Sequence, residues 1–160
     1  MRKKVIEKID TIMSREKTIL GLNGIDYSTE YITDRRGIIR GAGVKIIQEN
    51  YQVRYEFCFN LAYIRTIEDI EFLVRHELRH IYQKEYMPKK YQKEAKGFME
   101  RTHKAKTRQE KQDIYNNSWF EKDANDYAEK GFSGDKTVIN EKSISYYELF
   151  NRQRTKKRVR

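Results

Sequence analysis

The stretch YQVRYEFCFN, residues 51 to 60, is the feature that most restricts the fold. From Tyr51 to Phe59, aromatic and aliphatic side chains alternate with mostly polar ones. Because successive side chains of a β-strand point to opposite faces of the sheet, this alternation predicts a strand with one buried face. From about Thr66 the apolar spacing changes to that of a helix. A half-buried strand that leads into an amphipathic helix is typical of an α+β domain.

Two weaker strand signals precede this one. Residues 25–31 alternate in the same way, and residues 44–47 follow the glycine-spaced passage RRGIIRGAGVKII. The turn at Glu49 and Asn50 leaves a connection of hairpin length to the strong strand, which predicts antiparallel pairing. The sequence therefore predicts a small sheet that is antiparallel or mixed.

Helical periodicity predicts five helices around this sheet. Thr66 is the expected N-cap of the helix that follows the strand, and Pro88 limits that helix to about Tyr86. Ser118 is the expected N-cap of a later helix that ends near Gly131. The full set of predicted helices is 2–20, 67–86, 89–112, 119–131 and 140–151.

The length and charge of the chain restrict its domain organisation and its partners. A chain of 160 residues fits one domain, for which we expect the bounds 1–150. The basic segment 151–160 that follows is expected to be a flexible tail. With a net charge of +10, the surface should attract nucleic acid, acidic peptides or anionic lipid, unless the charge serves solubility alone.

The composition also gives an expectation about the compartment. Cys58 is the single cysteine, so an internal disulfide is excluded. The N-terminal residues 1–13 are too charged for a signal peptide, and no apolar run is long enough to span a membrane. We therefore expect a cytoplasmic protein without a membrane partner.

The stretch FLVRHELRHIYQ, residues 72 to 83, carries the strongest chemical signal. It places His76, Glu77 and His80 in the pattern His-Glu-x-x-His, in a chain with three histidines. On a helix, residues four apart lie on the same face, so His76 and His80 can direct both imidazoles at one ion. Zinc binds imidazole nitrogen readily, and a neighbouring carboxylate suits the general base of a zinc hydrolase. The pattern therefore predicts a zinc site with Glu77 as the catalytic base.

A zinc site of this kind needs a third ligand, and several residues compete for that place. Glu121 is favoured, because Asn125 lies one turn later and could hydrogen-bond a ligating histidine. The competing interpretation is that Ser118 and Glu121 form a capping box, in which Glu121 only closes its own helix. His103 and Asp123 are the other candidates, whereas Glu94 and Glu100 have only their charge to support them.

The two segments HELRH and EKDANDYA together resemble the gluzincin metallopeptidases. The most similar type is ImmA/IrrE, whose second motif commonly reads Glu-x-Glu-Ala-Asn-x-Phe-Ala. In this comparison Glu121 falls on the third zinc ligand and Asp123 on the acidic position, with Tyr127 in place of the phenylalanine. Arg79 stands where these families often have glycine. An SprT-like peptidase, with His103 as the third ligand, is the runner-up.

The resemblance implies a minimal zincin-like domain, in which a small sheet packs on the active-site helix. It also implies a zinc-dependent metallopeptidase that performs limited, regulatory proteolysis of a protein substrate, with a phage or mobile-element origin. Metal ligation would fall to His76, His80 and Glu121, and acid–base chemistry to Glu77. The alternative is a basic nucleic-acid-binding module with the same fold and no proteolytic activity, which would use the basic helix 89–112 and the tail.

Overall fold

The computed structural model describes residues 1–159, with the side chains of residues 1–156. Within this range the chain forms six α-helices, three strands and a short 3-10 turn, so that the α+β class is confirmed. The elements are α1 (Arg2–Ile19), β1 (Asp26–Ile32), β2 (Ala42–Glu49), β3 (Gln52–Asn60), the 3-10 turn Leu61–Tyr63, α2 (Ile67–Tyr86), α3 (Pro88–Lys104), α4 (Arg108–Asn116), α5 (Trp119–Lys130) and α6 (Tyr146–Val159).

The sheet is mixed, with the strand order β1-β3-β2. β2 and β3 form the predicted antiparallel hairpin, whereas β1 pairs with β3 in parallel. The parallel pair arises because β3 returns between the two earlier strands, so that β1 never pairs with β2. The hairpin turn lies at Asn50 and Tyr51, both of which have positive φ angles. Tyr51 was expected on the apolar face of the strand, but it belongs to this turn and is fully exposed.

The core lies between one face of the sheet and the helices α1 and α2. Alternate residues of β3 are buried on this face, as the sequence pattern predicts. The buried apolar residues that β3, α1 and α2 contribute to this core are Tyr55, Phe57, Phe59, Val5, Ile9, Ile12, Met13, Ile70, Leu73, Val74, Leu78 and Ile81. The helix that carries the His-Glu-x-x-His pattern is therefore fixed against the sheet on its apolar side.

The start of α2 is confirmed at Thr66 and is unusually well anchored. The Thr66 hydroxyl accepts a hydrogen bond from the Asp69 backbone N–H, and the Asp69 carboxylate accepts one from the Thr66 backbone N–H. Asp69 also accepts hydrogen bonds from the Ser145 hydroxyl and the Tyr147 backbone N–H. This buried carboxylate therefore joins the beginning of α2 to the beginning of α6.

Two of the predicted helices differ from those in the structure. The basic stretch 89–112 forms two helices, α3 and α4, because Ala105 is extended and Thr107 caps α4. α6 begins at Tyr146 rather than near residue 140, since residues 135–140 instead bond to the backbone of residues 65–68. α6 also includes most of the predicted tail 151–160, of which Arg160 lies outside the described residues. The domain boundary at residue 150 stays a prediction.

None of the helices in the described part of the chain combines the length and apolar character that crossing a membrane requires.

Candidate metal centre

The candidate centre is built on the contact between α2 and α5, which lie antiparallel. Arg75, in the first half of α2, donates hydrogen bonds to the backbone oxygens of Tyr127 and Ala128 near the end of α5. Gln83, in the last turn of α2, donates to the backbone oxygen of Phe120 at the start of α5. These contacts at both ends of the pair fix α5 against the polar side of α2.

His76 and His80 lie one turn apart on the face of α2 that meets α5. Their rings are in edge contact, with centroids 4.7 Å apart, and their Nε2 atoms are 3.1 Å apart. His76 is buried and His80 is mostly buried. The predicted convergence of the two imidazoles is therefore present in the structure.

Glu121, in the first turn of α5, completes the group. Its Oε2 lies 3.3 Å from His76 Nε2, and its Oε1 lies 2.9 Å from His80 Nε2. Ser118 caps α5 by accepting a hydrogen bond from the Glu121 backbone N–H. Because the cap uses the backbone of Glu121, the carboxylate is free to face the histidines. Of the capping box that was the competing interpretation, only the Ser118 half is formed.

The residues present fit a metal ion. Donor atoms of His76, His80 and Glu121 all lie within 4.8 Å of one another, and two of the three residues are buried. Ligands at about 2.1 Å from a tetrahedral ion are about 3.4 Å apart, close to the donor separations in this group. Two imidazoles and one carboxylate also form a set that leaves a fourth position for water or substrate. This group could therefore hold a divalent cation.

A second layer of contacts orients the ligands. His80 Nδ1 lies 3.2 Å from Gln83 Oε1, and the Gln83 amide donates to Asp123 Oδ2 at 2.9 Å. Gln83, three residues after His80 on the same helix, therefore takes the role that the sequence assigned to Asn125. His76 Nδ1 is buried and has no hydrogen-bond partner within the described residues.

The other two candidates for the third ligand lie outside this group. Asp123 binds the Arg79 guanidinium through both carboxylate oxygens, at 2.7 and 3.1 Å. The Asp123 carboxylate therefore pairs with Arg79 and not with the histidines. His103 lies exposed near the end of α3. The structure therefore brings Glu121 to the histidines and leaves Asp123 and His103 elsewhere, while the metal binding of the three residues stays a prediction.

The charges within the group are strongly coupled. Burial lowers the pKa of His80, but its hydrogen bond with Glu121 and the negative charge of Glu77 outweigh burial and raise the pKa to about 9. Burial raises the pKa of Glu121, but its hydrogen bonds with His76 and His80 hold this pKa far below its usual range. A cation that binds here must therefore compete with protons for the histidine nitrogens.

Glu77 lies beside the two histidines and is 6% exposed. Burial raises the pKa of its carboxyl group, and the charge of Glu121 adds to this effect, while His76 and His80 oppose it. Within the described residues the Glu77 carboxylate forms no hydrogen bond, so that no protein group competes for its oxygens. A carboxylate with free oxygens beside the candidate metal site is able to accept a proton from water there.

Two tyrosines at the centre were not predicted to belong to it. The Tyr115 hydroxyl, from the end of α4, donates a 2.6 Å hydrogen bond to Glu121 Oε1. Burial raises the pKa of Tyr146, and the charges of Glu121 and Glu77 raise it further. Tyr115 lies beyond the basic helix 89–112 that the sequence predicts. Its hydroxyl contact depends on how α4 turns into α5, for which the local pattern carries no signal.

No protein-family model, curated protein or solved structure matches the chain. The resemblance to gluzincin and SprT-like peptidases therefore stays a prediction, and the centre is interpreted from its own geometry.

Proposed function

We propose that this protein is a zinc-dependent metallopeptidase with a zincin-like fold, which cleaves a peptide bond of a protein substrate in the cytoplasm. The observation that supports this proposal most directly is the convergence of His76, His80 and Glu121, with the buried Glu77 next to His76 on the same helix. Both histidines lie on one helix and the carboxylate lies on a later one. This layout is the one that the resemblance of the segments HELRH and EKDANDYA to gluzincins implies.

In this proposal His76, His80 and Glu121 hold the zinc ion, which when bound polarises a carbonyl group and acidifies a water molecule. The Glu77 carboxylate takes a proton from the attacking water and delivers it to the nitrogen of the leaving amine. Gln83 orients His80 through Nδ1, and Asp123 pairs with Arg79 and not with the ligands. Limited cleavage of a regulatory protein, such as a DNA-bound repressor, and a mobile-element source follow from analogy alone.

Substitution of Glu77 by glutamine tests the proposal. Glu77→Gln removes the proton carrier but leaves the three ligands in place, so the variant should retain zinc and lose cleavage by at least about 100-fold. The measurement uses a proteome-derived peptide library, in which mass spectrometry detects new amino termini produced by zinc-loaded protein. Glu68→Gln is the matched control, because Glu68 is a buried carboxylate in the first turn of the same helix.

The proposal is supported if wild type and Glu68→Gln produce the same new termini and Glu77→Gln does not. Equal cleavage by wild type and Glu77→Gln would show that the activity has another source. Zinc-loaded wild type that cleaves nothing, in the library or in DNA-binding proteins added to it, would contradict the proposal.

Nucleic-acid binding is a second candidate function, favoured by one observation. The lysines and arginines between residues 89 and 111 outnumber the acidic residues there, and each of these basic side chains is exposed. α6, which carries most of the basic residues of the C-terminal segment, contacts the other end of α5, where Arg154 pairs with Glu129. Metal-free protein that binds duplex DNA, with an affinity that falls steeply as salt rises, would favour this function over proteolysis.

A further inference from the structure

The residues 88–116 form a helical hairpin, α3 and α4, that lies against the start of α5. No side chain of either helix is buried. The hairpin is attached through aromatic rings: Tyr91 and Phe98 both contact Phe120, with ring centroids 5.1 and 6.3 Å apart. A segment attached mainly through half-buried rings should open more easily than the core.

One residue of this hairpin nevertheless reaches the candidate metal centre. Tyr115 is 44% exposed overall, yet its hydroxyl donates a 2.6 Å hydrogen bond to the buried carboxylate of Glu121. The acceptor is Oε1, the same oxygen that lies 2.9 Å from His80 Nε2. Hence one phenol of the hairpin contacts the oxygen that faces a proposed ligand histidine.

The position of this phenol is fixed by the turn that joins α4 to α5. The backbone oxygen of Tyr115 accepts hydrogen bonds from the Ser118 backbone N–H at 3.1 Å and from the Ser118 hydroxyl at 2.7 Å. Ser118 is also the N-cap of α5, the helix that carries Glu121. Tyr115 is therefore tied to α5 at both its backbone and its hydroxyl.

We propose that Tyr115 is a positioning residue of the metal centre, which holds the Glu121 carboxylate toward the two histidines and couples the helical hairpin to metal binding. The inference rests on the metal-binding part of the proposed function. A hydrogen bond to a ligating carboxylate holds the side chain in its binding orientation before the ion arrives. The side chain therefore loses less conformational entropy when the ion binds. Because such coupling is reciprocal, metal binding should in turn stabilise the hairpin.

The first test measures Zn²⁺ affinity by competition with a chromophoric chelator. Tyr115→Phe keeps the ring and removes the hydroxyl, so its affinity should fall about 10-fold to 100-fold. Tyr91→Phe is the matched control, because Tyr91 also lies in the hairpin and packs on Phe120, and its hydroxyl forms no hydrogen bond within the described residues. It should bind Zn²⁺ as wild type does.

The second test is amide hydrogen exchange of residues 108–116 with and without Zn²⁺. In wild type and Tyr91→Phe, Zn²⁺ should slow exchange in this segment; in Tyr115→Phe it should not. A purely structural role of Tyr115 would change the exchange equally in both conditions.

The outcomes separate this inference from the proposed function. Equal Zn²⁺ affinities for Tyr115→Phe and Tyr91→Phe, in protein that binds zinc and cleaves peptides, would overturn the role of Tyr115 alone. Zinc affinity that falls in Tyr115→Phe, in protein that cleaves nothing, would support that role and contradict the peptidase. Wild type that binds no Zn²⁺ would overturn both.

Discussion

Two regions of the molecule meet at the Glu121 carboxylate but are held in different ways. One is the helix pair α2 and α5, and the other is the helical hairpin 88–116. The pair is joined by a buried charged residue: Arg75 binds Glu16 of α1 at 2.8 Å and two backbone oxygens of α5. The hairpin has no buried side chain and is attached by aromatic rings. The comparison indicates that the arrangement of His76, His80 and Glu121 comes from two helices joined by buried contacts, while the hairpin contributes one hydrogen bond to Glu121.

The largest expected effect on this comparison comes from Arg75, whose side chain is 7% exposed. Arg75→Met leaves the Glu16 carboxylate buried with one partner fewer. It also removes the two hydrogen bonds that Arg75 donates to backbone oxygens near the end of α5. Removal of one partner of a buried ion pair lowers the free energy of unfolding by about 3–5 kcal/mol. Chemical denaturation measures this change.

Arg15→Met is the control for Arg75→Met, because Arg15 binds the same carboxylate at 3.2 Å from a side chain that is 52% exposed. Exposed pairs contribute about 0–1 kcal/mol, so this variant should be close to wild type. Equal destabilisation by the two variants would mean that Arg75 does not anchor α5 in the way described.

The smallest expected effect comes from the hairpin, where Phe98→Ala removes a ring that contacts Tyr115 and Phe120. Because the hairpin can open without unfolding the core, the global free energy of unfolding should fall by less than about 1 kcal/mol. Amide exchange of residues 88–116 should become faster while that of α2 stays unchanged. Denaturation and hydrogen exchange on the same samples measure both.

The same substitution in the core gives the matched comparison. Phe57 is 1% exposed in β3, and Phe57→Ala should lower the free energy of unfolding by about 3–5 kcal/mol. If Phe98→Ala proved as destabilising as Phe57→Ala, the hairpin would belong to the same cooperative unit as the core, and the contrast between the two regions would disappear.

The sequence predicts the elements whose structure is determined by residues close together in the chain. α2 follows from its apolar spacing and the cap at Thr66, and β3 from strict alternation. His76 and His80 share a face because helix geometry requires it. Glu121 was favoured by its position in the segment EKDANDYA, and the structure brings it to the histidines.

What the sequence did not predict depends on contacts between distant segments. The parallel direction of β1 is set by β3 returning between β1 and β2. The hydroxyl contact of Tyr115 is set by the turn between α4 and α5. The orientation of Gln83 toward His80 is set by the hydrogen bonds that the Gln83 amide donates to Phe120 and Asp123 of α5. A local pattern contains none of this information, because each contact exists only once the elements are packed together.

The central claim, that His76, His80 and Glu121 hold one metal ion, is tested most directly by the zinc content of purified protein after dialysis. Wild type should retain about one zinc ion per chain, and Glu121→Ala should lose it, since two histidines alone make a weak site. Glu129→Ala, on the same helix but paired with Arg154, should retain it. Equal zinc content in wild type and Glu121→Ala, or none in wild type after zinc loading, would contradict the claim.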